Sequence, residues 1–395
     1  MQLSKFTLNI YLLAIFSSFF PFAAYIPIFL GCFILFLFDL ILNRKTLKKN
    51  VVFIVWVICL FCVSIVSHLI NLNTSDAAQF IKLLINFSFI SGFYFFISNH
   101  RNILEKNKYK IKLLIELIIF LTFLQVILNV YIMNLWFMPF TGVQNSIDAY
   151  LIINPPIYFG TKEKNIWATK FVFLSIIYLT CYIYHIFNGT RKLYTFLGMI
   201  LFVVLYTFSR TAQLMFIAFV FLYYFWKIFY IQRNIVLQAI LFLSLILFSI
   251  PVGIIIFNKL LHITLGSGDG LAARFELWNA LYLHLEKMNI WFGNGFLSAQ
   301  HIISTYTNWD NNNFHNVFMN LFSDIGMLGL FIYLIIVKFA FSCHNLIKCD
   351  SRFVFLCLFF PFFICINSQY LGFDSDIVIY FSLVMLFIQS RSYGA

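Results

Sequence analysis

Charge is the scarcest property of this chain. Only 10% of its 395 residues are charged, and the acidic residues number just 14. A water-soluble domain needs a polar surface, which a chain that is 62% hydrophobic, with a mean hydropathy of +0.93, does not supply. The composition therefore excludes a soluble protein and predicts an integral membrane protein.

Cysteine and the familiar catalytic motifs are also sparse. All eight cysteines fall in predicted spans or on the predicted cytoplasmic side, which argues against a disulfide framework. Cys59 and Cys62 have C-x-x-C spacing, but they lie within one apolar run and are interpreted as core filling. We find no P-loop, dinucleotide fingerprint, H-E-x-x-H or G-x-S-x-G motif. These common signatures of soluble enzymes therefore give no lead to function.

Long apolar runs recur along the chain. A run of about 20 residues is the length of a helix that crosses a bilayer. Backbone groups in hydrocarbon must be hydrogen-bonded within their own segment, so each run is predicted to be a helix. The fold class expected is an all-α integral membrane protein of twelve helices, forming one polytopic domain over 1–395. The predicted bounds are 6–21, 24–42, 51–70, 79–98, 113–133, 167–187, 193–208, 211–226, 235–257, 317–341, 353–371 and 377–389.

The 26 lysines and arginines are unevenly distributed among the loops. If both termini are cytoplasmic, most of them lie in the inner segments, whereas most acidic residues lie in the outer ones. Short basic loops resist translocation and therefore stay inside. The sequence predicts a multi-pass protein of the bacterial inner membrane with both termini cytoplasmic. The net charge of +12 follows from this topology and does not indicate a nucleic-acid partner.

Two large loops are predicted on the outer face, at about 134–166 and 258–315. The second is the most polar stretch of the chain. Asp269 can cap a helix beginning at Gly270, and an apolar stripe predicts that this helix is amphipathic and lies at the outer surface. The stripe comprises Leu271, Phe275, Trp278, Tyr282 and Leu285.

Three residues of the outer face are candidate site residues. Arg210, between two spans, is explained equally well by lipid head-group contacts, and Arg274, at the edge of the amphipathic helix, has snorkelling of its side chain as the alternative. The planar guanidinium also fits the oxygens of a lipid-linked phosphate. His315 opens a span after a run of asparagines, and a near-neutral pKa suits a proton acceptor. Gly326 and Gly329, further along this span, are predicted to allow close helix packing.

These residues carry a family resemblance. FSRTA at 208–212, Arg274-Phe-Glu-Leu-Trp278 followed by Phe292-Gly-Asn-Gly295, and His315-Asn316 followed by Asp324-Ile-Gly-Met-Leu-Gly329 stand in this order. Together they resemble the signature segments of the O-antigen polymerase and O-antigen ligase family of bacterial envelope enzymes. Lys164-Asn165, at the entry of a span, is similar to a further family segment. The resemblance covers residues 162–330, and it departs from the family at Lys162 and Lys164, where many relatives have arginine.

The resemblance implies a GT-C-like membrane glycosyltransferase whose donor is a glycan on undecaprenyl pyrophosphate. It implies that Arg210 and Arg274 bind the pyrophosphate and that His315 accepts the proton of the acceptor hydroxyl or orients it. The secondary candidates are Lys162, Lys164, Asn165 and Asn316. No metal and no other cofactor is expected. The implied partners are the lipid-linked donor and acceptor, membrane lipids and a chain-length regulator protein.

Three functions stay open on the sequence. A polymerase transfers the glycan to another lipid-linked repeat unit, and we favour it because the Phe-, Ile- and Asn-rich composition resembles genes of polysaccharide clusters. A ligase transfers it to the lipid A core. A transporter or flippase only moves the lipid-linked glycan, but no internal repeat is evident and the charges of interest gather on the outer face.

Overall fold

The computed structural model describes residues 2–17, 19, 25–42, 47–132, 134–137, 164–244, 270–309, 311–342, 348–367 and 372–391. Every regular element in these ranges is helical. The first eight helices are α1 (Gln2–Ser17), α2 (Tyr25–Leu42), α3 (Leu47–Ile70), α4 (Ala77–Asn99), α5 (Arg101–Lys106), α6 (Lys108–Ile132), α7 (Lys164–Ile183) and α8 (Thr190–Tyr206). The others are α9 (Arg210–Trp226), α10 (Ile235–Ser244), α11 (Gly270–His284), α12 (Ser298–Tyr306), α13 (Val317–Ala340), α14 (Lys348–Phe353), α15 (Phe360–Ile366) and α16 (Ser375–Arg391). A π-helical turn extends α9 to Gln232, and another joins α14 to α15.

Six of the described helices are long and apolar enough to cross a membrane by length and composition. They are α3 from Val51, α4, α6, α7 from Asn165, α9 with its π-helical extension, and α13. Helices α1, α2, α10 and α16 and the unit of α14 and α15 are apolar but shorter. The all-helical class is therefore confirmed for the described part of the chain, while twelve crossings and a GT-C-like arrangement stay predictions.

Helix α7 lies at the centre of the bundle. Of its predicted span, 89% is buried, because α6, α8, α9 and α16 all pack around it. Its sequence is apolar on every side, as expected of a helix that faces neither lipid nor water. The charged Lys170 is accommodated because its Nζ lies 2.8 Å from Oδ1 of Asp376 and 5.0 Å from the centre of the Phe19 ring.

Contacts between loops agree with the predicted alternation of faces. Lys112 Nζ donates to the Asn188 carbonyl at 2.7 Å, which joins two basic loops that are both predicted to be inside. Asp76 N–H donates to the Phe296 carbonyl at 3.0 Å, which joins two loops that are both predicted to be outside. Loops assigned to one face therefore meet at one end of the bundle. Which end faces the cytoplasm stays a prediction.

Thiol labelling tests this orientation. A cysteine replacing Asn311, in the second outer loop, is expected to react with a membrane-impermeant maleimide in intact spheroplasts, because that loop is predicted to face outward. A cysteine replacing Asn107, between α5 and α6, is expected to react only after permeabilisation. The unmodified chain provides the background from its native cysteines. Labelling of the Asn107 variant in intact spheroplasts would reverse the orientation.

The second outer loop forms a small layer on the bundle. Helices α11 and α12 pack together around an apolar cluster that is separate from the main core. Its buried members are Leu277, Ala280, Leu281, Met288, Ala299, Ile302, Ile303 and Phe314. An outer-loop helix beginning at Gly270 is thus present, but the predicted apolar stripe is wrong in detail. Tyr282 is 70% exposed, because α12 packs against the Leu277–Leu281 side of the helix instead.

Several sequence predictions fall outside the described residues. Lys162 and the Asp269 cap are among them, as is the greater part of the first outer loop, 138–163. The side chains of Lys164 and Leu271 also lie outside. They therefore stay predictions from the sequence.

Candidate active site

His315 lies in a tight turn immediately before α13. Its backbone adopts a left-handed conformation, with φ of +53°, which is uncommon for a residue other than glycine. Its N–H donates to Oδ1 of Asn313 at 2.9 Å. The preceding residue, Phe314, donates its N–H to Oδ1 of Asn320 at 2.8 Å and accepts from Nε1 of Trp278 at 3.0 Å. The polar contacts on both sides of His315 therefore fix the turn that presents it.

The imidazole of His315 is only partly exposed. Among the described residues, its Nδ1 is buried and has no hydrogen-bond partner. Burial lowers the pKa of His315 below its usual value, and the positive charge of Arg274 lowers it further. The ring is therefore neutral at pH 7, which is the state in which a histidine accepts a proton.

Arg274 lies in the second turn of α11 and is partly buried. Burial lowers the pKa of its guanidinium, although an arginine remains a cation at neutral pH. Trp278, one turn after Arg274, donates to the carbonyl of Phe314, which precedes His315, so Arg274 and His315 lie in the same region of the outer layer. A neutral histidine beside a fixed cation can accept a proton near a site that attracts an anion.

Asn316 has a local structural role. Its Oδ1 caps α13 by accepting from the N–H groups of Phe318 and Met319 at 2.9 and 3.2 Å. Its Nδ2 donates to Oδ1 of Asn367, the residue after α15, at 3.0 Å. Asn316 therefore ties the start of α13 to the end of α15 directly beside His315.

Arg210 is the first residue of α9 and is exposed. The buried Ser209 precedes it and caps the helix, accepting from the Ala212 N–H at 3.4 Å. Ser209 therefore fixes the start of the helix, at which the exposed Arg210 stands.

Packing between helices places Arg210 at the same end of the bundle as His315. Helix α9 packs along the unit of α14 and α15, and the rings of Trp226 and Phe353 lie 5.0 Å apart. The two segments are antiparallel, so from that contact α9 leads back about 20 Å to Arg210, and α14 and α15 lead forward about 20 Å to Asn367, at the same end of the bundle. Asn367 is bonded to Asn316, next to His315. Arg210 and His315 therefore face the same side of the membrane bundle.

The two glycine-containing segments of the family pattern are partners in space. Helix α13 is broken at Gly326, where φ is +70° and ψ is −171°. The backbone of segment 290–295 forms hydrogen bonds with α13 both before and after Gly326. Asn294 N–H donates to the Ser323 carbonyl at 2.7 Å, and Met327 N–H donates to the Ile290 carbonyl at 2.8 Å. Gly326 was predicted to allow close packing of two helices. It instead allows a close approach of the loop backbone at Trp291 and Phe292 to the break in α13.

Asp324 links this break to α12. Its buried carboxylate accepts from the N–H of Ser298 at 3.2 Å and from Oγ of Ser298 at 3.0 Å. Leu297, the residue at the cap position of α12, offers no side-chain oxygen. Asp324 therefore caps α12 from another part of the chain, and the outer layer is anchored to α13.

Asn320 was not predicted from the sequence, and Asp324 was identified only as part of the family pattern, without its capping role. Both are buried polar residues within a predicted span, and Asn320 stands one helical turn after Asn316. Placing a polar residue within a membrane span costs free energy unless it has a hydrogen-bond partner. The presence of Asn320 and Asp324 in a predicted span was therefore the signal that could have identified them. The secondary candidate Asn165 lies at the start of α7, where its carbonyl accepts from Oγ1 of Thr169 in the same helix. Within the described ranges, no three His, Cys, Asp or Glu side chains are grouped to hold a metal ion.

The fold and this site define a helical membrane protein with a histidine and two arginines at one end of its bundle. Residues 194–334 match the family model described as O-antigen ligase. The match includes Arg210, Arg274 and His315 and both glycine-containing segments. The resemblance to the O-antigen polymerase and ligase family is therefore confirmed, and the match supports a membrane enzyme of this family. No curated protein matches the chain.

Proposed function

We propose that this protein is a membrane glycosyltransferase that polymerises oligosaccharide repeat units carried on undecaprenyl pyrophosphate. The observation that carries the proposal is that the bond from Trp278, one turn after Arg274, to the Phe314 carbonyl brings α11 to a partly buried His315 within the segment that matches the family. The chain would act as one polytopic domain of the inner membrane, with the site on the periplasmic face. Its expected partners are the lipid-linked donor and acceptor and a chain-length regulator protein.

The proposed reaction is a substitution at the anomeric carbon of the donor glycan. The acceptor hydroxyl forms the new C–O bond, and the bond to the pyrophosphate breaks with its electron pair leaving on the pyrophosphate. His315 takes the hydroxyl proton on a ring nitrogen, which its lowered pKa keeps available at pH 7. Arg274 and Arg210 stabilise the charge that develops on the leaving group, and this assistance is strongest in the transition state.

A synthetic assay tests the proposal against its alternatives. The purified chain in liposomes is supplied with synthetic lipid-linked repeat units as both donor and acceptor. A ladder of longer lipid-linked glycans is the expected product. Transfer only when lipid A core is added would identify a ligase, and movement of the glycan across the bilayer without new bonds would identify a transporter.

Lysine substitutions test the pyrophosphate contacts. Arg210→Lys and Arg274→Lys are each expected to lower kcat/KM for elongation by about 10- to 100-fold, because an ammonium keeps the charge but loses the two parallel donors of the guanidinium. Arg233→Lys, at the opposite end of the same extended helix as Arg210, is the matched control and should be neutral. Wild-type elongation rates in both site variants would favour lipid head-group contacts as the role of these arginines.

A further inference from the structure

The predicted inner end of the bundle contains a cavity that the proposed reaction does not use. Its volume is about 760 Å³, and it lies between the start of α6 and the connection from α7 to α8. Five of the described lining residues are cations, and none of those described is acidic. The cations are Lys106, Lys108, Lys112, Arg191 and Lys192.

The topology of the chain explains why these loops are basic, but not why their charges surround one cavity. Lys112 joins its two sides, because its Nζ donates to the Asn188 carbonyl, 76 positions away, at 2.7 Å. The same Nζ lies 3.7 Å from Glu116 and 4.9 Å from the centre of the Tyr182 ring. Lys112 is therefore a fixed part of the wall, and its charge is partly offset. Lys106, Arg191 and Lys192 add three further positive charges to the rim of the cavity.

Exposed tyrosines indicate the depth of the cavity relative to a bilayer. Tyr109 lines the cavity and is 72% exposed, and Tyr194, in the first turns of α8, is 71% exposed. Tyrosines accumulate where a helix passes the head groups, with the ring in the apolar region and the hydroxyl in water. The cavity wall also includes the apolar Ile186 and Phe187. Such a wall suits a molecule that has both a charged head and an apolar tail.

We propose that this cavity binds the phosphate group of an anionic phospholipid of the inner leaflet. Basic cavities between membrane helices on the cytoplasmic side attract such head groups, and each nearby lysine or arginine strengthens the attraction. The start of α8 contributes in the same direction, because its cap residue, Gly189, has no side chain to occupy the first N–H groups. Phosphate is the chemistry that the cavity recognises, and the apolar wall favours a lipid over the free ion.

Binding is measured with the full-length chain in a neutral detergent. Dioctanoyl phosphatidylglycerol is titrated in, and the apparent Kd is obtained by native mass spectrometry and from the rise in melting temperature. Dioctanoyl phosphatidylcholine and inorganic phosphate are titrated in parallel. The cavity variant combines Lys106→Gln, Arg191→Gln and Lys192→Gln. The matched control combines Lys227→Gln, Arg233→Gln and Lys338→Gln, which removes the same charge from the same end of the bundle.

The cavity variant is expected to bind phosphatidylglycerol about 100-fold more weakly, from a loss of about fivefold for each cation. The matched control should stay close to the wild-type Kd. Arg191→Gln alone should weaken binding about fivefold, and it serves if the triple variant does not fold. The proposal is overturned if both triple variants lose binding equally, if phosphatidylcholine binds as tightly, or if inorganic phosphate protects as well as the lipid at equal concentration.

Discussion

Replacing His315 with alanine is expected to lower the rate of glycan elongation by about 100- to 10,000-fold, the usual contribution of a general base. The ring is partly buried and neutral, and the turn that presents it is fixed by the contacts of Phe314. His315→Asn is the most informative companion, because asparagine adopts left-handed backbone conformations readily and should preserve the turn. Elongation is measured with lipid-linked repeat units, and His301→Ala, at an exposed position of α12, should leave the rate unchanged.

The pH dependence distinguishes a base from an orienting group. Because the pKa of His315 is lowered, its neutral form persists to lower pH, and activity should be lost only as pH falls through that lowered value. Arg274→Gln removes the nearby positive charge and should move this loss to higher pH, whereas Arg274→Lys should leave it in place. His315→Gln keeps a hydrogen bond but cannot take a proton. Near wild-type activity in His315→Gln would exclude the base role, and the same result in His315→Ala would remove His315 from the site.

Replacing Gly326 with alanine is expected to destabilise the fold by about 3 kcal/mol or more. The φ of +70° strains any residue with a Cβ, and a Cβ at this position would also overlap the backbone of Trp291 and Phe292. These are backbone atoms of the paired segment, so no side-chain rotation relieves the overlap. The expected result is a large fall in the melting temperature of the detergent-solubilised protein and loss of the monodisperse peak on gel filtration.

Gly198→Ala is the matched control for this substitution. Gly198 lies within α8, and a Cβ there would meet no atom within 4 Å. Alanine should be neutral or slightly stabilising at this position, because it favours the helical conformation by about 0.5–1 kcal/mol over glycine. Equal melting temperatures for the two variants would contradict the break in α13.

Local signals predicted much of the fold from the sequence. Apolar runs identified the six candidate spans, and the expected starts of α11 at Gly270 and of α13 just after His315–Asn316 agree with the structure. Helix α12 was not predicted, because it is short and its start carries no capping side chain of its own. Its cap is Asp324, which lies 26 positions away and becomes a partner only after folding.

The residues of the candidate site were predicted from the sequence, but the contacts that position them were not. His315, Arg274 and Arg210 were found from charge placement and from the family resemblance, and the proximity of the first two is visible only in the fold. The roles of Trp278 and Asn320 in holding the turn depend on contacts between distant segments. The glycines were interpreted as helix-packing positions, since a sequence does not reveal which backbone approaches them.

The pairing of 290–295 with the break in α13 has a consequence for modular exchange. Transplanting an outer loop between relatives assumes that the loop is an independent unit. Here the outer loop is bonded directly to α13. Gly295 N–H donates to the carbonyl of Asp324 at 3.1 Å, and the side chain of Asp324 caps α12. A chimera must therefore carry 290–298 and 323–328 from the same parent. A graft that stops at the membrane surface would pair the 290–298 segment of one parent with the broken helix of the other.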